Sequence, residues 1–209
     1  MIRSMYPEKE KVTRGNGFLE SLLARKRAKM ADSLIPANWR AGVIADIGCG
    51  NYPYFLLNTE FKQKYGLDKI ANDCHFSKAA AGNITILNYD LECEFDLPLS
   101  GDSCDAITML AVLEHIEPEF VPPMLSQVHA ALRKGGGIVL TTPAFWTQPI
   151  LNILSALGLV SKEEIEEHKK AYRLSDIFKI LQSAGFKQNN MHGGYFELGM
   201  NLWVKAIKG

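Results

Sequence analysis

An α/β sandwich built on a mostly parallel sheet of seven strands is the fold class the sequence predicts, and three observations predict it. Apolar runs rich in β-branched residues alternate with helix-period segments after residue 40, the signature of βαβ units. The first of these runs, Gly42-Val-Ile-Ala45, leads straight into an acidic, glycine-rich turn, Asp46-Ile-Gly-Cys-Gly-Asn51. The 209 residues, 47% of them hydrophobic, suffice for one substantial core and not for a second full domain.

Taken in order, Val12–Leu34 reads as a helix ahead of the first strand, so residues 1–40 are expected to form a helical cap on one domain spanning 41–209. Strands are expected at Val43–Ile47, Lys64–Leu67, Ile84–Asn88 and Ala106–Leu110. Glu117–Leu132 reads as a helix that Pro118 starts and the Arg133-Lys-Gly-Gly-Gly137 cluster stops. A fifth strand, Gly137–Thr142, precedes a helical insertion at Pro143–Arg173. Ser175 caps a helix over Asp176–Ala184 that Gly185 ends, and strands near Phe186–His192 and at Leu202–Ile207 complete the sheet.

Lysine plus arginine equals aspartate plus glutamate at 23 each, so no global charge draws the chain to a nucleic-acid backbone, and no nucleic-acid partner is expected. Residues 1–40 are locally basic, an excess expected of a solvated helix face. The four cysteines, Cys49, Cys74, Cys93 and Cys104, form no C-x-x-C pair, so neither a metal nor a redox motif is expected. The longest apolar stretch, around Pro149 to Val160, falls well short of the roughly 20 residues a membrane span needs. The N-terminus has no signal-peptide core, and a soluble cytoplasmic protein is expected.

The residues missing from the Asp46–Asn51 turn narrow its ligand. No GK[S/T] follows, which excludes a P-loop, and the dinucleotide fingerprint fails where Pro53 takes its last glycine position. An acidic residue two positions before the first glycine suits a cationic, hydroxyl-bearing ligand better than a pyrophosphate. S-adenosylmethionine carries an ammonium, a sulfonium and a ribose, and is the ligand expected here. Asp68 follows Gly50 by 18 residues, near the spacing of about 20 for a ribose-binding carboxylate on the neighbouring strand. Strand ends at Asp46, Asp68, Asp90 and Leu110 should then converge on one crevice.

Lined up, Asp46-Ile-Gly-Cys-Gly50, Asp68 after Tyr65-Gly-Leu67, Asp90-Leu91, the stretch Asp105 to Ile116 containing Leu113-Glu-His-Ile116, and Leu132-Arg-Lys-Gly-Gly-Gly-Ile-Val-Leu-Thr-Thr-Pro143 resemble the class I S-adenosylmethionine-dependent methyltransferases, especially their small-molecule branch. The resemblance covers about residues 40–142 and implies a Rossmann-like fold. It implies that the main chain of Gly48, Cys49 and Gly50 passes under the methionine part of the cofactor, with Asp46 fixing the amino group. It also implies Asp68 on the ribose hydroxyls, Asp90 on the adenine amine, the Leu91 amide facing the ring, and Leu110-Ala111 beside the methionine amine. The product would be S-adenosylhomocysteine. At Asn51-Tyr52-Pro53 the sequence departs from the family, where a further glycine is common.

Methyl transfer is an in-line displacement, so the protein must chiefly hold a nucleophile about 3–3.5 Å from the methyl group. An alcohol or protonated amine also needs a proton acceptor, and His115, at the end of the fourth strand, is the candidate base, a cofactor-side or structural role being its alternative. Phe145 and Trp146 follow the fifth strand and offer either an apolar wall for the acceptor or core packing. His168, Tyr172 and Tyr195 are further substrate-binding candidates, His168 with a solvated helix face as its alternative and Tyr195 with a hairpin loop. Arg14-Gly-Asn-Gly-Phe18 reads as a possible hinged lid. The acceptor expected is a small polar molecule such as a sugar or related metabolite, methylated on oxygen or nitrogen; a lipid or quinone acceptor and a noncatalytic binding module are the alternatives.

Overall fold

The computed structural model describes residues 20–69, 83–91, 96–150, 155 and 169–209. His168, the Arg14–Phe18 segment, Cys74, Cys93 and most of the expected insertion lie outside the described residues.

Seven strands form a single sheet: β1 (Val43–Ile47), β2 (Gln63–Asp68), β3 (Ile84–Asn88), β4 (Cys104–Leu110), β5 (Leu132–Pro143), β6 (Met191–Phe196) and β7 (Asn201–Ile207). Their order is β3-β2-β1-β4-β5-β7-β6, and only β7 is antiparallel to its neighbours. The chain leaves β1 toward β2 on one side and returns to β4 on the other, so a topological switch point opens at the carboxyl ends of β1 and β4.

The central strands are buried on both faces, as a parallel sheet requires, and alternate their side chains between two cores. On one face Ile44, Ala106 and Val139 pack beneath α1 (Glu20–Leu34) and α2 (Tyr54–Asn58). Ala28, Ala31 and Ile35 are the buried stripe at that end of α1, with the spacing of one helical face. On the other face Ala45, Ile47, Ile107, Met109 and Leu140 pack beneath α3 (Val121–Ala131) and α4 (Leu174–Ser183). Trp39 closes the amino-terminal end of the sheet, its indole N–H donating to the Gly135 carbonyl at 2.9 Å. No helix among the described residues is long and apolar enough to cross a membrane.

Several boundaries differ from the sequence expectation. α3 starts at Val121, not at Glu117, with prolines in its first turn, where a missing N–H costs no intrahelical bond. Its end passes into β5 at Leu132, ahead of the glycine cluster expected to stop it. α4 begins at Leu174, so Ser175 lies inside the helix, and the Asp176 carboxylate accepts the Arg173 main-chain N–H at 3.2 Å. β6 runs over Met191–Phe196, about five residues later than expected, which makes Tyr195 a strand residue and shortens the hairpin turn to Glu197–Met200.

Candidate functional site

The crevice is built at the switch point. Gly48 and Gly50 take φ of +75° and +74°, a left-handed backbone that favours glycine, and so turn the chain sharply back after β1. The turn is bolted to β2: the N–H groups of Gly48 and Cys49 both donate to the Leu67 carbonyl, at 2.8 and 3.3 Å. Asp68 completes the attachment by accepting the Gly50 N–H on Oδ2 at 2.7 Å.

The two glycines differ in what surrounds them. A Cβ at Gly48 would meet Val112 Cγ2 at 2.3 Å, so this position is glycine because the loop after β4 fills the space. A Cβ at Gly50 would meet nothing closer than 3.9 Å. Gly66 is the third small position. Opposite Asp46 in the register, it leaves room for the Cys49 sulfur, which a Cβ there would meet at 2.8 Å. Cys49 therefore packs downward onto β2 as a buried thiol while its peptide lines the turn.

Asp46 is 3% exposed. Its partner comes from β4: Thr108, its register neighbour, donates its hydroxyl to Asp46 Oδ1 at 2.6 Å. Burial, reinforced by the nearby charge of Asp68 and only partly offset by the Thr108 hydrogen bond, pushes the Asp46 carboxyl up to about 7. A buried carboxylate with a second carboxylate beside it is a site that favours positive charge.

Asp68 and Asp90 stand at the ends of β2 and β3, with the Tyr89 N–H donating to the Asp68 carbonyl at 3.0 Å to hold the two ends in step. Asp90 pairs with Lys69 at 2.8 Å and Leu91 is half-buried after it. Across the switch point, Leu110 ends β4 and Ala111 adopts φ +57°, uncommon for a residue with a Cβ, its N–H donating to the Thr141 carbonyl at 2.9 Å. Gly48, Cys49, Gly50, Asp46, Asp68, Asp90, Leu91, Leu110 and Ala111 thus all stand at the carboxyl ends of adjacent strands β1 to β4.

The other side of the crevice follows β4 and β5. Leu113–His115 is a short 3-10 turn in which Glu114 is 2% exposed and His115 half-buried. The Lys169 N–H donates to the Glu114 carbonyl at 2.8 Å, and Tyr172 bridges to Ala144 just beyond β5, so Lys169–Arg173 is tied along both strand ends. Tyr172 is wholly buried, and its hydroxyl has no hydrogen-bond partner among the described residues; burial and the nearby Glu114 carboxylate push it up to about 12. Phe145 and Trp146 are each 41% exposed, and the Arg173 guanidinium lies 4.4 Å from the Phe145 ring centroid. Tyr195 is exposed on the edge strand β6.

Sequence reasoning missed Thr108, Val112 and Gly66. Only Thr108 left a signal, a lone hydroxyl in the apolar run Ala106-Ile-Thr-Met-Leu110. Among the described residues no group of three or more His, Cys, Asp or Glu side chains is arranged to hold a metal ion.

A family model described as a methyltransferase domain matches residues 16–189, well over half of the chain. The chain belongs to this methyltransferase family. The fold agrees with the class I S-adenosylmethionine-dependent superfamily. A Mesorhizobium loti S-adenosylmethionine-dependent methyltransferase superposes with a TM-score of 0.63 at 21% identity, covering 86% of this chain and 96% of that one. A chain from the complex of the Haloferax volcanii Trm112 methyltransferase activator with a methyltransferase superposes at 0.69, with 14% identity and coverages of 90% and 91%. Phosphoethanolamine N-methyltransferase 2 of Haemonchus contortus, solved with S-adenosylmethionine, gives 0.63 at 14% identity, covering 88% of this chain and 52% of that one. No curated protein matches the sequence. At these identities the structural likenesses establish the fold, while the family membership rests on the sequence model.

The residues present suit the cofactor of that superfamily. Asp46 and Asp68 put two carboxyl groups close enough to raise each other's cost of ionising, which a cation would relieve, Gly50 leaves main chain open to close approach, and Ala111 holds a left-handed backbone at the neighbouring strand end.

Proposed function

We propose that this chain transfers a methyl group from S-adenosylmethionine to an oxygen or nitrogen atom of a small acceptor. The observation that supports the reading most is the Gly50 N–H to Asp68 bond, which ties the glycine turn of β1 to the carboxylate ending β2 at the switch point. Bound there, the cofactor would supply an electrophilic methyl group on a sulfonium. The chain's own residues then have separable tasks. Gly48, Cys49 and Gly50 offer main chain to the amino-acid part, and Asp46 with the Leu110-Ala111 main chain receives its ammonium. Asp68 takes the ribose hydroxyls, a carboxylate being able to accept two at once. Asp90 and the Leu91 amide hold the base.

The acceptor would enter between the Leu113–His115 turn and Phe145-Trp146, with His115 taking its proton where the nucleophile carries one. Of the acceptor classes the sequence leaves open, the aromatic pair exposed beyond β5 favours a polar head on an apolar body over a bare sugar. Residues 1–40 would cap the site, since α1 packs against β4, β5 and β7 and Lys26 in its first half reaches Glu197 in the turn that follows β6.

Calorimetric titration with S-adenosylmethionine, S-adenosylhomocysteine and, as control, NAD tests the reading. Binding of both sulfur nucleotides and not of NAD is expected; a folded protein that binds neither would overturn it in favour of a fold retained for partner contacts.

A further inference from the structure

Single exposed apolar side chains are ordinary on a protein surface; a contiguous set is not. Among the described residues the exposed large hydrophobic side chains are Leu22, Phe145, Trp146, Tyr195 and Leu198. All of them lie at the carboxyl end of the sheet, although they come from three separate stretches of chain.

Their connection can be followed side chain by side chain. Leu22 lies one helical turn before Lys26 on the same face of α1. Lys26 reaches Glu197 in the β6–β7 turn at 3.8 Å. The next residue, Leu198, is 97% exposed at the tip of that turn. A Cβ on Gly199 would lie 3.6 Å from Trp146, and Phe145 beside it carries Arg173 on its ring. Tyr195 enters the same turn from β6.

Among the described residues the charge along this rim is positive. Glu197 is turned inward, its side chain only 5% exposed, and both Lys26 and Arg27 act on that one carboxylate. Among the described residues Arg173 and Lys170 make no ion pair; they lie against aromatic rings, Arg173 on Phe145 at 4.4 Å and Lys170 on Tyr172 at 5.1 Å. Aromatic and aliphatic side chains interleaved with unpaired cations match the boundary of an anionic bilayer, where rings and alkyl groups enter the headgroup zone and cations meet phosphates. A second copy of the chain would bring cations against cations, and a neutral apolar protein face would leave them unanswered.

We propose that this rim is a docking surface for an anionic lipid bilayer and that it presents the crevice mouth to that surface, so that the acceptor is a lipid-borne group. Docking stands on the rim alone; the statement about the acceptor rests on the methyl-transfer reading.

The test is flotation of the full chain with phosphatidylcholine vesicles, with and without about 30% phosphatidylglycerol. The wild type should float with the anionic vesicles and stay behind with the neutral ones. Leu198→Asp should reduce the vesicle-bound fraction about tenfold, and the Lys170→Gln/Arg173→Gln pair should do the same without altering sedimentation in the absence of lipid. Circular dichroism and calorimetric binding of S-adenosylhomocysteine should be unchanged by Leu198→Asp, which separates docking from folding and from the cofactor site. No flotation of the wild type, or equal flotation of wild type and Leu198→Asp, would overturn the proposal. So would a wild-type dimer that Leu198→Asp dissociates, since the rim would then face a second copy. Loss of S-adenosylhomocysteine binding by the wild type with flotation intact would remove the methyl-transfer reading and the acceptor statement while leaving the docking surface.

Discussion

Asp68 accepts the Gly50 N–H at 2.7 Å, so one carboxylate braces the glycine turn and also stands where a ribose is expected. Its two tasks can be separated. Asn at position 68 can still accept the Gly50 N–H through its amide oxygen, whereas Ala cannot, and neither presents two charged acceptors to a diol. Asp68→Asn is expected to weaken S-adenosylhomocysteine binding about tenfold or more while leaving the urea midpoint nearly unchanged. Asp68→Ala should weaken binding further and lower stability by about 1–3 kcal/mol through the orphaned turn. Calorimetry and urea titration on both variants would show it, and unchanged affinity in Asp68→Asn would remove this residue from the site.

Gly48 and Gly50 share a backbone conformation and differ in surroundings, which makes them a controlled pair. Alanine at Gly50 should cost only the left-handed backbone, about 1–2 kcal/mol. At Gly48 the same backbone cost is joined by overlap with Val112 at 2.3 Å, about 1–3 kcal/mol of overpacking. Gly48→Ala should therefore be the less stable variant, and Val112→Ala should recover part of its loss while doing nothing for Gly50→Ala. A double-mutant cycle in denaturant should show coupling between positions 48 and 112, and additivity would contradict the overlap.

Much of this site was legible because its signals are local. The Asp46–Gly50 turn, the end of β2 at Asp68 and the β1 and β3 boundaries follow from apolar runs meeting turn residues. What was missed depends on tertiary contact. Gly193-Gly194 reads as a loop from sequence, yet both lie in β6. A Cβ on Gly193 would meet Leu174 at 2.6 Å, and one on Gly194 would meet the Trp203 indole at 3.1 Å, so these glycines answer side chains from distant segments. Thr108 shows in the sequence only as a lone hydroxyl in an apolar run, and its partner emerges when register places it opposite Asp46.

His115 is proposed to take the acceptor proton from a 3-10 turn at the end of β4. His115→Gln should lower kcat on the true acceptor by about 10²–10⁴ with S-adenosylhomocysteine affinity preserved. Near-normal turnover would leave His115 a structural residue of the turn.

Asp46 gives the protein a pH dependence whose sign is fixed by its burial. Its carboxyl is raised from 3.8 to about 7 in the folded chain, so between those values the folded state holds a proton that the unfolded state has released. Stability from this group is therefore greatest below about 4 and falls as pH rises toward 7. Asp46→Asn keeps an oxygen for the Thr108 hydroxyl and cannot ionise, so its stability relative to wild type should improve steadily from pH 4 to pH 7. Cofactor binding should move the opposite way. An ammonium beside Asp46 favours the ionised form, so wild-type affinity for S-adenosylhomocysteine should rise through pH 7, and the Asn variant should bind more weakly with a flatter profile. Parallel pH profiles for the two proteins, in stability and in affinity, would mean that the carboxyl at the end of β1 does not titrate there and that the ammonium is held by other groups.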